Sequence, residues 1–521
     1  MRSSTLSRVV PARLAIGVRA VPYPLWLAVT FALAAVVRIR PFVTTDWPIN
    51  DGGMFVAAVD EITRNGYGLP DTLQYNGQAI PFAYPPLAFY AAAVASELTR
   101  ISTTDAVRIL PLLFSFLSVV AFHRLARQLS RDDRVVIAAT VGFALVPASW
   151  IWMVMGGGLT RALGLTFCLL ALANILIAFE TRARRALVVA GILSGLALLT
   201  HIEFAWVLAF SAATFWLAAP TRARLRSLVA IGAVGLAVAL PWIAIVVARH
   251  GVGPFLAASQ TGQLIDPIEQ LLAFRQSGEP NFPIFLALGL LGALLAFVSG
   301  PRMLLGWLVA IAFLDPRSWG TVSAAPLALL GARAAIEGIA PLLASHRRIA
   351  VALAAVAILY LTHGALISNT SLLASVTPSE REAMSWVAAN TPHDARFAVV
   401  SERGWADDRQ AEWFPILAAR VSVSTAQGAE WLPLGTFRER LRSIQTLEQC
   451  ASSDADCLAA WASEFAVAYD YVFLPKYRAG VRLDGTDTWC CMGLRAALRF
   501  DPRFALVYDG PGATVFELTK R

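Results

Sequence analysis

The segment RPFVTTDWPINDGGMFVAAVDEITRNGYGLPDTLQYNGQAIPFAYPPLAFY, residues 40–90, decides how the chain is read. An apolar run precedes it and long apolar runs follow. Asp46 and Asp51 stand in a Gly/Pro-rich setting, an amphipathic stretch comes next, and then Tyr84-Pro85-Pro86-Leu87. A polar connection of this length between apolar runs is usually functional rather than connective. Phe55, Ala58, Val59 and Ile62 fall on one face of a helix, with Asp60, Glu61 and Arg64 opposite. That is the pattern of a helix lying in a membrane interface. The apolar stretch 84–99 is shorter than the roughly 17–25 residues of a span. Pro85 and Pro86 suit a helix start, where a missing N–H costs nothing. Two juxtamembrane helices are therefore expected in this loop.

The rest of the chain supports a membrane setting. It is 57% hydrophobic and 15% charged over 521 residues, whereas a soluble domain carries about 25% charged residues. The net charge of +8 is almost wholly arginine, the only lysines being Lys476 and Lys520. Such a surplus reads as topology, because positive residues collect in cytoplasmic loops. No long basic run alternates with aromatics, so nucleic acid is not an expected partner. Arg2, Arg8, Arg13 and Arg19 precede the first apolar run and no small-residue cleavage site follows it, so that run is expected to stay as a signal anchor.

Apolar runs occur near 22–39, 106–122, 135–152, 162–179, 186–200, 203–219, 227–248, 282–299, 303–314, 321–340 and 349–367. Arginine clusters at 124–134, 182–185, 222–226, 302 and 347–348 separate alternate runs. With these clusters and the N-terminus (1–21) cytoplasmic, the runs give eleven spans and an outer C-terminus. The transmembrane module is then 22–376. The outer connections are 40–105, 153–161, 200–203, 249–281 and 315–321, and the uncommon polar residues gather in them. Ionisable residues near membrane segments are costly and mark function.

Beyond 377 the composition changes. A helix-like REAMSWVAANTP and the strand-like ARFAVVSE, YVFLP and FALVYDG point to a soluble α/β domain, 377–521, on the outer side. It holds Cys450, Cys457, Cys490 and Cys491. Disulfides are permitted in an oxidising compartment, and four cysteines allow three pairings. Trp405, Trp413 and Trp431 are read as core packing before sugar stacking.

Asp51 precedes Gly52-Gly53 at the start of the amphipathic helix, where it either caps the helix or acts as a proton acceptor. Asp46, in Thr-Thr-Asp-Trp-Pro, is a turn residue or the alternative base. Arg317 and Arg161 offer permanent charge and a planar fork of donors for a phosphate; the competing reading is snorkelling to headgroups. His201 and Glu203 are contacts for sugar or phosphate, or else a satisfied polar pair at a helix junction. Arg108, after Asp105, is placed to pair with an acid of the first loop. Tyr84 is a substrate-binding candidate. Walker-type phosphate loops, GxSxG and metal-spaced His/Cys clusters are absent from the sequence.

Together these residues resemble the GT-C superfamily of polyprenyl-phosphate-sugar-dependent glycosyltransferases. The likeness is to the branch containing protein O-mannosyltransferases and bacterial aminoarabinose transferases, over roughly residues 20–340. An acidic motif follows the first span (Asn50-Asp51-Gly52-Gly53). A Pro-Pro-Leu follows in the same loop (Pro85-Pro86-Leu87), then Asp105-Ala106-Val107-Arg108 and the arginine-rich RLARQLSRDDR. The resemblance implies a GT-C-like polytopic α-helical fold and an inverting transfer at the outer face from a lipid-phosphate-linked sugar. The acceptor implied is a hydroxyl on a lipid, glycan or protein. By position Asp51 takes the role of catalytic acid; from residue type and place in the chain, Arg317, Arg161, His201 and Arg108 are read as donor-phosphate ligands, and Glu203 and Tyr84 as substrate contacts. The family's common Asp-Glu pair is Asp51-Gly52 here, which leaves Asp46 open as a second carboxylate or as the base. Members of this branch work without a metal, whereas the oligosaccharyltransferase branch uses one, so no cofactor is expected although a divalent metal between Asp46 and Asp51 stays open. The rival classes are a transporter or lipid flippase, which would show ionisable residues at mid-membrane in two matched halves, and a non-catalytic assembly subunit, which would tolerate loss of both aspartates.

Overall fold

A computed structural model describes residues 22–261, 267–274, 276–300, 302–368, 372–476 and 489–519; the N-terminal segment 1–21 lies outside them. Each of the eleven apolar runs is helical: Tyr23–Thr44, Thr103–Leu129, Asp133–Leu145, Gly158–Thr181, Arg184–Thr200, Ile202–Leu217, Arg222–His250, Ile284–Ser299, Arg302–Leu314, Trp319–Arg333 and Arg347–Ile367. Among the described residues six helices are long and apolar enough to cross a membrane alone, or seven when the bent pair Asp133–Leu145 and Pro147–Met153 counts as one. The shorter helices reach fewer residues than a span needs and are carried by packing. Val29, Val36 and Val43 on the first helix, and Val351, Val356 and Leu359 on the last, stay exposed, as a lipid-facing surface requires.

The break after Leu145 positions the site. The helix ends at Val146, short helical turns cover Pro147–Ser149 and Ile151–Met153, and the pair bends by 78°. Its last carbonyls need partners. The buried Arg38 donates through Nη1 to Ala144 O (2.9 Å) and through Nε to Ser115 Oγ (3.0 Å). Ser149 Oγ donates to Phe143 O (2.6 Å) and Val146 O (2.9 Å). Arg38 thus ties three helices at the point where the chain turns towards Gly156-Gly157-Gly158. Replacing it with Met removes the cap and the favourable charge at a helix C-terminus, and we expect a loss of about 1–3 kcal/mol, read as a lower thermal midpoint in detergent.

The first outer loop contains the two expected helices, Gly53–Arg64 and Leu87–Thr99. Between them lies a β-hairpin the sequence reading did not include: β1 (Thr72–Tyr75) pairs antiparallel with β2 (Gln78–Pro81). Its turn residues Asn76 (φ 53°) and Gly77 (φ 68°) are both left-handed, the geometry that makes Asn-Gly a strong hairpin signal.

The C-terminal domain, the outer domain of the sequence reading, opens with helix Pro378–Asn390, whose Thr377 and Glu380 form a capping box. Its sheet comprises β3 (Arg396–Val399), β4 (Val421–Ser422), β5 (Tyr471–Pro475), β6 (Phe504–Asp509) and β7 (Ala513–Leu518), in the order β4-β3-β5-β7-β6. β3 runs parallel to β4 and β5, while β7 is antiparallel to β5 and β6. β5 is buried along its whole length, as a central strand must be. The edge strand β4 is covered: Asn76 Nδ2 donates to Ser422 O and Ser422 N donates to Asn76 Oδ1, both at 2.8 Å. An exposed edge would invite pairing with another chain; here it binds the hairpin to the outer domain. The disulfides are Cys450–Cys457 and Cys490–Cys491, and Cys168 is free and buried.

Candidate active site

Asp51 sits where three segments meet. Asn50 N donates to Ala374 O (2.8 Å) and Gly156 N donates to Ile49 O (2.9 Å), which clamps the 49–52 strand-like segment on both sides. The N-cap of helix Gly53–Arg64 is Gly52, at φ 131°, with no side-chain cap. Asp51 is therefore released from capping. Its Oδ1 accepts from Gly157 N at 2.7 Å and its Oδ2 pairs with Arg161 Nη2. The approach depends on the glycines: a Cβ on Gly156 would lie 1.8 Å from Asp51 O, and one on Gly157 2.3 Å from Asp51 Oδ2. Arg161 is fixed in turn, donating to Trp152 O (3.3 Å) and lying 5.4 Å from the Trp152 ring centroid. The two side chains remain 19% and 22% exposed, so the carboxylate is oriented without being sealed off.

A second group borders this one. Tyr84 shares a hydrogen bond with Thr160 Oγ1 (3.0 Å), and its ring packs 6.3 Å from His201 and 5.3 Å from Trp431. His201 Nδ1 lies 4.0 Å from Glu203 Oε2, and Ser318 Oγ donates to Glu203 Oε1 at 2.5 Å. Burial pulls the His201 imidazole down to about 4, with the charges of Arg161 and Arg317 adding to the fall. It faces the site as a neutral ring. Burial, and then the charge of Glu203, pushes Asp315 up to about 8. Arg317 makes no hydrogen bond or ion pair among the described residues, yet its charge acts on Tyr84, His201, Glu203, Asp315 and Glu430. A guanidinium in that position is available to an anion.

The sequence candidates thus divide. Asp51, Arg161, Tyr84, His201, Glu203 and Arg317 come together from four of the outer connections. Asp46 and Arg108 lie to one side. Asp46 is bound by Arg381 of the outer domain (3.1 and 2.5 Å), and the hydrogen bonds from Arg381 hold its carboxyl below the usual range. Arg108 donates to Phe42 O (3.0 Å) and Thr45 O and lies over the Phe42 ring, so it shapes the end of the first helix. Asp46 and Asp51 therefore answer to different arginines. Among the described residues no group of three or more His, Cys, Asp or Glu side chains converges.

The outer domain supplies Glu412 and Glu430, which the sequence reading missed, and Trp413 and Trp431, which it read as core packing. Glu412 Oε1 accepts from Gly52 N at 2.8 Å across 360 positions of sequence. Trp413 Nε1 donates to Asn50 O (3.0 Å), and Asn50 Nδ2 donates to Ala406 O (3.0 Å). Trp413 is fully buried and stands edge-on to Trp47, 5.3 Å away. Half-buried Glu430 and buried Trp431 approach from the same domain. One signal existed, an acidic residue beside a tryptophan in the amphipathic stretch Arg409–Leu417.

Residues 83–246 match the sequence pattern of the Dolichyl-phosphate-mannose-protein mannosyltransferase family. That match contains Tyr84, Arg161, His201 and Glu203 and stops short of Asp51 and Arg317. No curated protein matches the chain by sequence. Solved structures share its fold, among them the following three. The oligosaccharyltransferase AglB from Archaeoglobus fulgidus, in complex with an inhibitory peptide and a dolichol-phosphate, is 13% identical with a TM-score of 0.59, covering 89% of this chain and 74% of that one. ArnT from Cupriavidus metallidurans, bound to undecaprenyl phosphate, is 15% identical with a TM-score of 0.56, covering 94% and 97%. The arabinofuranosyltransferase AftD from Mycobacteria is 16% identical with a TM-score of 0.54, covering 95% of this chain and 40% of that one. With its helical membrane module, its outer sheet domain and this set of neighbours, the chain has the GT-C fold of membrane glycosyltransferases and resembles the mannosyltransferase family over residues 83–246.

Proposed function

We propose that the protein is an inverting glycosyltransferase that moves a sugar from a polyprenyl-phosphate donor to an acceptor hydroxyl at the outer face of the cytoplasmic membrane. The observation that carries this reading is the Asp51 carboxylate, oriented by Gly157 and Arg161 and left partly open, together with Arg317, whose charge acts on Tyr84 and His201 and which makes no ion pair among the described residues. The relatives of known structure add to it: AglB is described with a dolichol-phosphate and ArnT with undecaprenyl phosphate.

In this mechanism Asp51 takes the proton of the acceptor hydroxyl. The hydroxyl oxygen forms the new bond to the anomeric carbon from the face opposite the phosphate. The bond from that carbon to the phosphate oxygen breaks, and polyprenyl phosphate leaves with the electron pair. Arg317 receives the charge that develops on the leaving phosphate. Neutral His201 and Tyr84 donate hydrogen bonds to sugar or phosphate, and Glu203 with Ser318 keeps the wall of the site in place. Asp51 then returns its proton to solvent. No step draws on a metal: both Asp51 oxygens already accept from Gly157 and Arg161, and that donor set suits an oriented base better than a cation ligand.

The test is transfer from radiolabelled polyprenyl-phosphate sugars in membranes or nanodiscs, run with and without a chelator. Arg317→Ala should lower kcat/KM for the donor by about 10- to 30-fold, the worth of a charge-assisted hydrogen bond. Arg317→Lys should recover part of it, because charge returns without the planar fork. Undiminished transfer in Arg317→Ala would remove the phosphate role, and loss of transfer in chelator would remove the metal-free mechanism.

A further inference from the structure

The four residues Asn50 to Gly53 do not all face the same partner. Asn50 receives Trp413 Nε1 on its carbonyl and donates its side chain to Ala406 O. Gly52 donates its N–H to Glu412 Oε1. A Cβ on Gly53 would lie 2.8 Å from Glu412 O. Three of the four thus rest on the outer domain. The Asp51 carboxylate alone is turned the other way, towards Gly157 and Arg161.

From this arrangement we propose that Glu412 is a positioning residue of the transfer reaction: by holding the Gly52 N–H it fixes the peptide that follows Asp51, so that the outer domain completes the active site. The proposal rests on the reading of Asp51 as the base.

The chemistry of the pair supports it. The Gly52 N–H stands at a helix N-terminus that has no cap of its own, and such donors need an acceptor. At φ 131° the Gly52 peptide has conformational freedom that other residues lack, so without an outside contact the direction of Asp51 would be poorly set. Glu412 is itself anchored. It is 3% exposed, its Oε2 accepts from Gln427 Nε2 (3.3 Å), and its backbone carbonyl accepts from Tyr75 OH (2.6 Å) of β1. The charged groups that bear on it are Asp51, Arg161 and Glu430. Burial first, and then the negative charge of Asp51, pushes its carboxyl well above the usual range. The acidic side chain that chain order does not provide at position 52 arrives from a different domain, at the peptide of that same residue.

The experiment uses the full chain in nanodiscs, with transfer from a radiolabelled polyprenyl-phosphate sugar followed across pH. Glu412→Gln keeps the oxygen that accepts from Gly52, so its kcat should stay within about 3-fold of wild type, with the acid limb of the pH profile unmoved. Glu412→Ala and Glu412→Asp withdraw the oxygen from Gly52, and kcat should fall about 10- to 30-fold for a sub-ångström loss of alignment, while KM for the donor stays within about 2-fold because no donor contact is touched. Full kcat in the two shortened variants overturns the proposal. So does a Glu412→Gln protein as slow as Glu412→Ala, or one with a shifted acid limb, since either would mean that Glu412 acts by charge. Should Glu412→Ala fail to fold, Glu412→Asp decides. Asp51→Asn is run alongside: activity there removes the base and this proposal with it, whereas a dead Asp51→Asn beside fully active Glu412 variants removes this proposal alone.

Discussion

Asp51→Asn should reduce sugar transfer by about 10³-fold, within the range that general-base catalysis contributes. The substitution keeps the volume and most of the shape of the side chain, so the effect isolates charge. Both partners of the carboxylate are donors, the Gly157 N–H and the Arg161 guanidinium. An amide can accept from only one of them and must turn its NH2 towards the other. The variant therefore loses the proton acceptor and leaves a donor unmatched, and a loss in kcat is expected with KM for the donor little changed, because Arg317 and His201 are untouched. Thermal unfolding and donor binding, measured on the same preparation, separate this outcome from misfolding. Asp46→Asn should behave differently. Asp46 and Arg381 form a pair across the junction with the outer domain, 55% exposed on the Asp46 side, and exposed pairs contribute little. Transfer that survives Asp51→Asn and falls in Asp46→Asn would keep the enzyme and move the base.

What could be read from the sequence depended on how far apart the interacting residues lie. The apolar runs announce eleven helices because hydrophobic length is a local property. The arginine clusters then sort the connections by side, and this alone places Asp51, Arg161, His201, Glu203 and Arg317 at one end of the module. The contacts within that end are invisible to local reading. Asp51 and Arg161 are 110 positions apart and Glu412 is 360 positions from Gly52. Arg161, read from sequence as a phosphate ligand, lies against Asp51 instead of standing free, and no spacing rule announces that. Asp51 as a helix cap was a sound local reading, displaced when Gly52 became the N-cap and Gly157 offered a stronger claim on the carboxylate. The hairpin is another matter. Its Asn76-Gly77 signal is local and was present in the sequence, but the surrounding polar loop gave no second strand pattern long enough to compete with the helices on either side. The disulfide pairing, too, is a property of the folded chain and not of spacing.

Gly157→Ala should cost about 10²-fold in kcat while leaving the protein folded, a large effect for a single methyl group. The backbone of Gly157 lies at φ −66° and ψ −12°, which alanine adopts without strain, so the substitution carries no conformational penalty of its own. All of its consequence is steric and falls on the site: the new Cβ would stand 2.1 Å from Arg161 Nη2 and 2.3 Å from Asp51 Oδ2. One or both side chains must swing away. Either movement breaks the pair that orients the carboxylate, and a displacement near 1 Å at a reacting group is enough for a loss of about 10²-fold. Gly156→Ala makes a useful contrast. There the Cβ meets the backbone of Asp51 and Gly52, at 1.8 Å and 2.8 Å, and backbone cannot rotate out of the way. Gly156→Ala should therefore lower the unfolding midpoint as well as the rate, whereas Gly157→Ala lowers the rate alone. If the two variants lost stability equally, the glycine run would be a packing device. A rate loss without a loss of stability in Gly157→Ala would mean that the run exists to bring a carboxylate and a guanidinium to one point, which is the geometry the proposed transfer to an acceptor hydroxyl requires.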